Sequence, residues 1–385
     1  SQRPPRFDES LDSMISRSED DFMRIALKAK AAQDYFLLIG PPGTGKTSCA
    51  LKKMVETFHA DKDAQILLLS YTNRAVDEIC KSLASIAPAV DFIRVGSELS
   101  CDEAYRGHLI ENELSSCNRR SEVYERIRNC RIIVGTVAAI SGKPELFRLK
   151  HFDVAIIDEA TQILEPQLLG ILCARGEDGK DAIDKFVLIG DHKQLPAVVQ
   201  QNTEQSAIYD ESLLSIGLTN LKDSLFERLY RNCTATVHRS YDMLCRQGRM
   251  HPEVALFANR AFYGGRLIPV GLPHQIESSD TICRLAFYPS VPEKAGASAK
   301  INYSEARIVA DLAARIYEDH QTDFDESRTL GIITPYRSQI ALIKKEIESL
   351  GIPALNRILV DTVERFQGSE RDVIIYSFCV NYPYQ

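Results

Sequence analysis

The chain predicts an α/β fold of parallel strands flanked by helices, arranged in two lobes. Short runs rich in Ile, Leu and Val alternate with longer amphipathic segments. These runs show little polar–apolar alternation, as strands covered on both faces require. They also fall into two clusters. Six runs lie at 35–39, 65–70, 91–95, 131–134, 154–158 and 186–189, and three more at 330–334, 359–362 and 372–378, with about 140 residues between (189 to 330). The seam between lobes is expected near 233–238, giving a first lobe over 1–236 and a second over 237–385. Residues 97–130 are rich in Arg, Asp and Glu with few apolar runs, and read as a helical insertion in the first lobe. Residues 292–300, with their Pro, Gly and Ser, read as a mobile loop.

Composition bounds the function. The 385 residues are 44% apolar and 26% charged, ample for a buried core. No run of eighteen apolar residues occurs, which excludes a membrane-spanning helix. The opening Ser1-Gln2-Arg3-Pro4-Pro5 has no apolar stretch behind it and is not read as a secretory signal. Ten scattered cysteines without a Cys-x-x-Cys pair fit the reduced thiols of a cytoplasmic protein. Cys101, Cys117 and Cys130, with His108 among them, are too irregularly spaced for a zinc site and read as buried thiols. Forty-six basic against fifty-three acidic residues give a net charge of −7. Bulk charge therefore cannot hold a nucleic acid; a local basic groove would be needed.

The strongest chemical signal follows the first strand: Gly40-Pro41-Pro42-Gly43-Thr44-Gly45-Lys46-Thr47, opening a helical pattern. Glycines at this spacing let backbone N–H groups turn inward around phosphates, and the helix N-terminus favours anionic charge. Lys46 then reaches the β- and γ-phosphates and the Thr47 hydroxyl ligates Mg²⁺. The fifth strand ends in Asp158-Glu159. Alone, such a pair is usually a helix-start charge. Beside a phosphate loop, Asp158 suits the Mg²⁺ partner of Thr47, and Glu159 the base that polarises the attacking water.

Further residues carry a family resemblance. Asp158-Glu159-Ala160-Thr161-Gln162 and Gly190-Asp191-His192-Lys193-Gln194-Leu195-Pro196 resemble motifs II and III of the superfamily-one helicases. The likeness is to the branch holding the nonsense-mediated-decay RNA helicase and the Okazaki-fragment nuclease-helicase. The segments 70–77 and 135–137 are similar to motifs Ia and Ic, and Arg249-Met250-His251-Pro252 with Phe262-Tyr263-Gly264-Gly265 to motif IV and its trailing turn. The segments 334–339 and 361–370 resemble the last two before motif VI, so the resemblance covers about residues 22–380. It implies two RecA-like lobes closing on ATP and a motor on single-stranded nucleic acid with 5′-to-3′ polarity. The sequence itself does not separate DNA from RNA as the track; DNA is the expectation for a compact motor of this kind, acting as a monomer. It implies that Gln194 senses the γ-phosphate and that Arg249 arrives from the second lobe to neutralise the transferring phosphoryl group. Glu370 is expected to bond the ribose, with Gln367 and Gly368 lining the same cleft. Strand contacts are implied for Thr72, Asn73, Thr136, Pro335, Tyr336, Arg337 and Thr362. Thr72 and Asn73 could equally cap the helix that follows.

Three departures stand out. Met23 occupies the place of the family's adenine-reading glutamine, and Gly248 that of an aromatic that stacks on the base. The arginine-bearing motif VI is expected just where the sequence stops at Gln385, so the chain is expected to be a piece of a longer protein. The alternative to a motor is an ATP-gated clamp that binds both ligands and turns over slowly. The two differ in whether Arg249 suffices without an arginine beyond Gln385. A single-lobe small-molecule kinase fits the phosphate loop alone and leaves 190–196 and 366–370 unexplained.

Overall fold

The computed structural model describes residues 6–235, 239–276, 284–291 and 300–379. The expected loop at 292–300 lies, but for Lys300, outside these residues, as does the part of the expected seam at 236–238. The strands are β1 Tyr35–Ile39, β2 Ile66–Ser70, β3 Phe92–Val95, β4 Ile132–Thr136, β5 Val154–Ile157, β6 Phe186–Gly190 and β7 Tyr241–Met243. Together they form one parallel sheet in the order β3-β4-β2-β5-β6-β1-β7. The first six lie within two residues of the expected runs.

Burial on both faces explains the unalternating runs. Leu37 and Ile39 of β1 enter one apolar layer, while Phe36 and Leu38 enter the other. On β2, Leu67 and Leu69 divide from Ile66 and Leu68 in the same way. One layer is closed by helices Asp21–Ala31, Lys52–His59 and Asn73–Ala84, and the other by Glu165–Leu172 and Leu225–Ala235. Each fully buried Leu or Ile contributes about 1.5–3 kcal/mol relative to exposure. The segment 97–130 is helical as expected, in short pieces ending in helix Arg120–Asn129. Cys101 and Cys130 are buried and Cys117 is half-buried.

The chain divides into two compact units, Ser1–Arg284 and Leu285–Gln385. The division falls some fifty residues after the expected 236/237 boundary (284 − 236 = 48). The reason is β7, which pairs in parallel with β1 through Leu37–Tyr241, Leu38–Asp242 and Ile39–Met243. With Asp242 at its centre, Tyr241–Met243 has no apolar run to announce a strand. Beyond it, β8 Arg246–Gln247 pairs with β9 Ile268–Pro269, framing helix Pro252–Phe262 within the first unit.

The second unit holds β10 Leu330–Ile333, β11 Leu359–Asp361 and β12 Val373–Tyr376, parallel in the order β11-β10-β12. Helices Tyr303–Asp319 and Arg337–Glu348 cover one face, placing Ala306, Val309, Ala310, Ala313, Ile343 and Ile347 against Leu330, Ile332 and Val360. On β12, Ile374 and Tyr376 point away from this core and are each 44% exposed. Among the described residues no helix is long and apolar enough to cross a membrane.

Candidate active site

The functional candidates of the first unit gather where its parallel strands end, the edge at which open α/β sheets bind ligands. The phosphate loop follows β1, Asp158 follows β5 and Asp191 follows β6, three neighbouring strands. Thr72 and Thr136 sit at the ends of β2 and β4, the adjoining pair.

Gly43 and Gly45 adopt φ of +72° and +74°, left-handed values that residues with a Cβ avoid. A Cβ on Gly43 would also lie 2.4 Å from the Cβ of Arg249. The following helix opens with a wide turn in which Ala50 N–H reaches the Gly45 carbonyl at 2.9 Å, a form common at functional sites. Thr44 is buried, its hydroxyl donating to the Pro41 carbonyl at 2.7 Å. The loop is thus shaped by its own hydrogen bonds.

Lys46 Nζ pairs with Glu159 Oε1 at 2.6 Å, and Thr47 Oγ1 donates to Asp158 Oδ2 at 2.5 Å. Asp158 is 1% exposed and accepts the Glu159 N–H at Oδ1 at 2.9 Å. Burial, reinforced by the charge of Glu159, raises its pKa to about 6 against the opposing pull of Lys46 and Thr47. Burial alone would lower the pKa of Lys46; Glu159, Asp158 and Asp191 outweigh it and hold the ammonium above the ordinary lysine value. One ammonium thus faces three carboxylates, an excess of negative charge suited to a divalent cation. Thr47 and Asp158 offer the hard oxygen donors that Mg²⁺ prefers. Glu159 itself sits at φ 53°, a strained conformation that clusters at functional sites. Its Oε2 accepts from Gln162 Nε2 at 3.0 Å.

Gln194 donates through Nε2 to Asp191 Oδ2 at 2.7 Å, so motif III closes on itself beside the phosphate loop. Arg249 corrects the expectation that it arrives from the second lobe. It belongs to the first unit, its backbone pressed on Gly43 and held by the bond from Gly248 N–H to the Gly43 carbonyl at 2.8 Å. The cause is again β7, which carries this segment back alongside β1.

Both rim threonines cap helices. Thr72 Oγ1 accepts from Ala75 N–H at 3.2 Å, and Thr136 Oγ1 from Ala139 N–H at 3.1 Å. Thr72 is exposed and Asn73 half-buried, while Thr136 is 8% exposed. In the second unit, Pro335, Tyr336 and Arg337 follow β10, and Thr362 follows the neighbouring β11. Pro335 and Arg337 are exposed, and Lys300 Nζ lies 5.9 Å from the Tyr336 ring centre. Gln367, Gly368 and Glu370 lie between helix Val363–Phe366 and β12, with Gly368 and Glu370 exposed. Sequence reasoning gave no role to Asp191 or Tyr263, although both stand inside quoted motifs. Tyr263 OH donates to Asp191 Oδ2 at 2.7 Å, a pairing across 72 residues that no local pattern reveals.

A phosphate loop facing a strand-end Asp-Glu pair on a parallel sheet defines a P-loop nucleotide-binding fold. Comparison with known proteins gives the family. One family model, described as an AAA domain, matches residues 15–122 and 110–202, and a second, also an AAA domain, matches 221–382. Between them the two models cover most of the chain, which belongs to this AAA-domain family. It is 30% identical to the DNA replication ATP-dependent helicase/nuclease DNA2 of Xenopus laevis, over 94% of this chain and 34% of that protein. It is also 30% identical to the helicase/nuclease JHS1 of Arabidopsis thaliana, over 97% of this chain and 27% of that protein. The DNA polymerase alpha-associated DNA helicase A of Saccharomyces cerevisiae is 24% identical, over 96% of this chain and 61% of its own length. The chain spans about a third or less of the helicase/nucleases it matches.

Proposed function

We propose that the chain is an ATP-hydrolysing helicase or translocase acting on single-stranded nucleic acid, DNA in preference to RNA, with 5′-to-3′ polarity. The observation that carries this reading is the pairing of Lys46 with Glu159 and of Thr47 with Asp158 at the mouth of the phosphate loop. The loop N–H groups would cradle the phosphates, and Lys46 would neutralise their charge. Thr47 and Asp158 would hold Mg²⁺, which supplies charge neutralisation on the phosphates when bound. Glu159 would take the proton of the attacking water, Gln194 would report the γ-phosphate, and Arg249 would offset charge on the transferring group. Gln367, Gly368 and Glu370 would contact the nucleotide, Glu370 through the ribose hydroxyl. Thr72, Asn73, Thr136, Pro335, Tyr336, Arg337 and Thr362 would line the track and contact phosphates without reading bases. Relatives of this chain bear the names DNA helicase and DNA replication helicase/nuclease, which favours DNA as the track.

Steady-state ATP hydrolysis with and without single-stranded DNA or RNA tests the reading. Strong stimulation by DNA is expected. Greater stimulation by RNA would reverse the choice of track. Absent turnover, with ATP and strand each still bound, would replace the motor by a nucleotide-gated clamp.

A further inference from the structure

Helix Pro252–Phe262 is tied at both ends to loops of the nucleotide site. Ahead of it, Gly248 and Arg249 press on Gly43. Behind it, the Tyr263 hydroxyl donates to Asp191 Oδ2 at 2.7 Å, the same oxygen that receives Gln194 Nε2 at 2.7 Å. The other oxygen, Oδ1, accepts the Lys193 N–H at 3.0 Å. Asp191 is fully buried and Tyr263 is 6% exposed, its ring packed in the apolar layer beneath the sheet. The position of the hydroxyl is therefore set by core packing. Burial, with Asp191 alongside, drives the phenol pKa far above its ordinary value, so the hydroxyl remains a donor.

A primary amide has two N–H groups and one carbonyl oxygen. With one N–H of Gln194 committed to Asp191, the second N–H and the carbonyl oxygen remain to meet a phosphate or a water. Their direction follows from where Oδ2 sits, and Oδ2 is held by Tyr263. We propose that Tyr263 is a positioning residue of the ATPase site, holding the Asp191 carboxylate so that it aims the Gln194 amide. This rests on the ATPase reading above. The competing account is that the hydroxyl merely satisfies a buried carboxylate and supports the fold.

Tyr263→Phe removes the hydroxyl and keeps the ring. Measured as strand-stimulated ATP turnover, kcat should fall about tenfold, the scale of one lost hydrogen bond, with KM for ATP little changed. In a Gln194→Ala background the same substitution should cost nothing further, because the residue it acts through is gone. Asn259→Ala is the structural control. Asn259 bonds the backbone of Leu267 through both ends of its amide, at 2.9 Å each, so its loss should lower the melting temperature and leave kcat in place. An unchanged kcat in Tyr263→Phe, a full further loss in the Gln194→Ala background, or an equal kcat loss in Asn259→Ala would each overturn the proposal. If Tyr263→Phe melts near the assay temperature, the same comparisons are made at a lower temperature where circular dichroism shows it folded, with the same expected loss and the same non-additivity with Gln194→Ala. Wild-type turnover that Lys46→Ala abolishes secures the ATPase reading independently, so a negative result for Tyr263 would fall on this inference alone.

Discussion

The ends of the strands in the two sheets are built differently. At the edge of the seven-stranded sheet, Thr44, Asp158 and Asp191 are buried, and each has its partners within the chain. At the edge of the three-stranded sheet, Pro335 and Arg337 lie exposed, as do Gly368 and Glu370 before β12. A buried polar group must be paired or it costs about 1–3 kcal/mol, so the first edge is set in place by its own hydrogen bonds. An exposed long side chain such as that of Arg337 keeps its rotamer freedom until a ligand orders it. On the proposed reading, the first edge is preorganised for ATP chemistry, while Arg337 at the second would adapt to a strand that slides. Substitution of the buried groups at the first edge should accordingly harm turnover and folding, while substitution of exposed Arg337 at the second should harm only strand affinity.

The largest effect should come from the phosphate loop. Lys46→Ala should remove measurable ATP turnover while leaving strand binding largely intact, and Glu159→Gln should bind ATP yet hydrolyse it about a hundredfold more slowly. Equal loss of strand binding in Lys46→Ala would mean that the two edges are not separable. Next come the sheets themselves. Ile156→Ala, at a fully buried position of β5, should cost about 2–5 kcal/mol in a denaturant titration. Ile374→Ala on the exposed face of β12 should cost less than about 0.5 kcal/mol. A comparable cost for Ile374 would show that this face is covered in solution.

Acid titration separates the edges more finely. Asp158 has a folded pKa of about 6 against roughly 3.9 when unfolded. Its contribution to stability is therefore complete below pH about 4 and is lost as pH rises through about 6. Relative to Asp158→Asn, the protein should lose stability across that window; a flat difference would show that the carboxyl is not titrating there. The smallest effect should be that of Arg337→Ala. It should weaken strand binding uniformly across sequences and lower the salt slope by about one, with unchanged melting. A loss of ATP turnover at saturating strand would remove Arg337 from the track.

Much of this was legible beforehand because it is local. The glycine spacing of 40–47 and the acidic pair at 158–159 can be read within a few residues, and the unalternating strands follow from burial on two faces. The sequence suggests the second lobe for Arg249 because the strand that returns it, Tyr241–Met243, has an aspartate at its centre and no apolar run. The sequence leaves Thr72 between capping a helix and touching a strand, and its bond to Ala75 shows that it caps. A capping hydroxyl retains a second lone pair, so a strand contact remains chemically open to it.

By itself, the sequence determined the α/β class, the phosphate loop with its carboxylate partners and the family, because each is a pattern of residue types over short spans. Tertiary structure alone decided that the chain divides at Arg284, that Arg249 rests on Gly43, and that Tyr263 shares an oxygen of Asp191 with Gln194. Each of these depends on which distant segments share a sheet edge. That choice is made by the pairing of a short edge strand and by the burial of polar groups that must find partners across the fold.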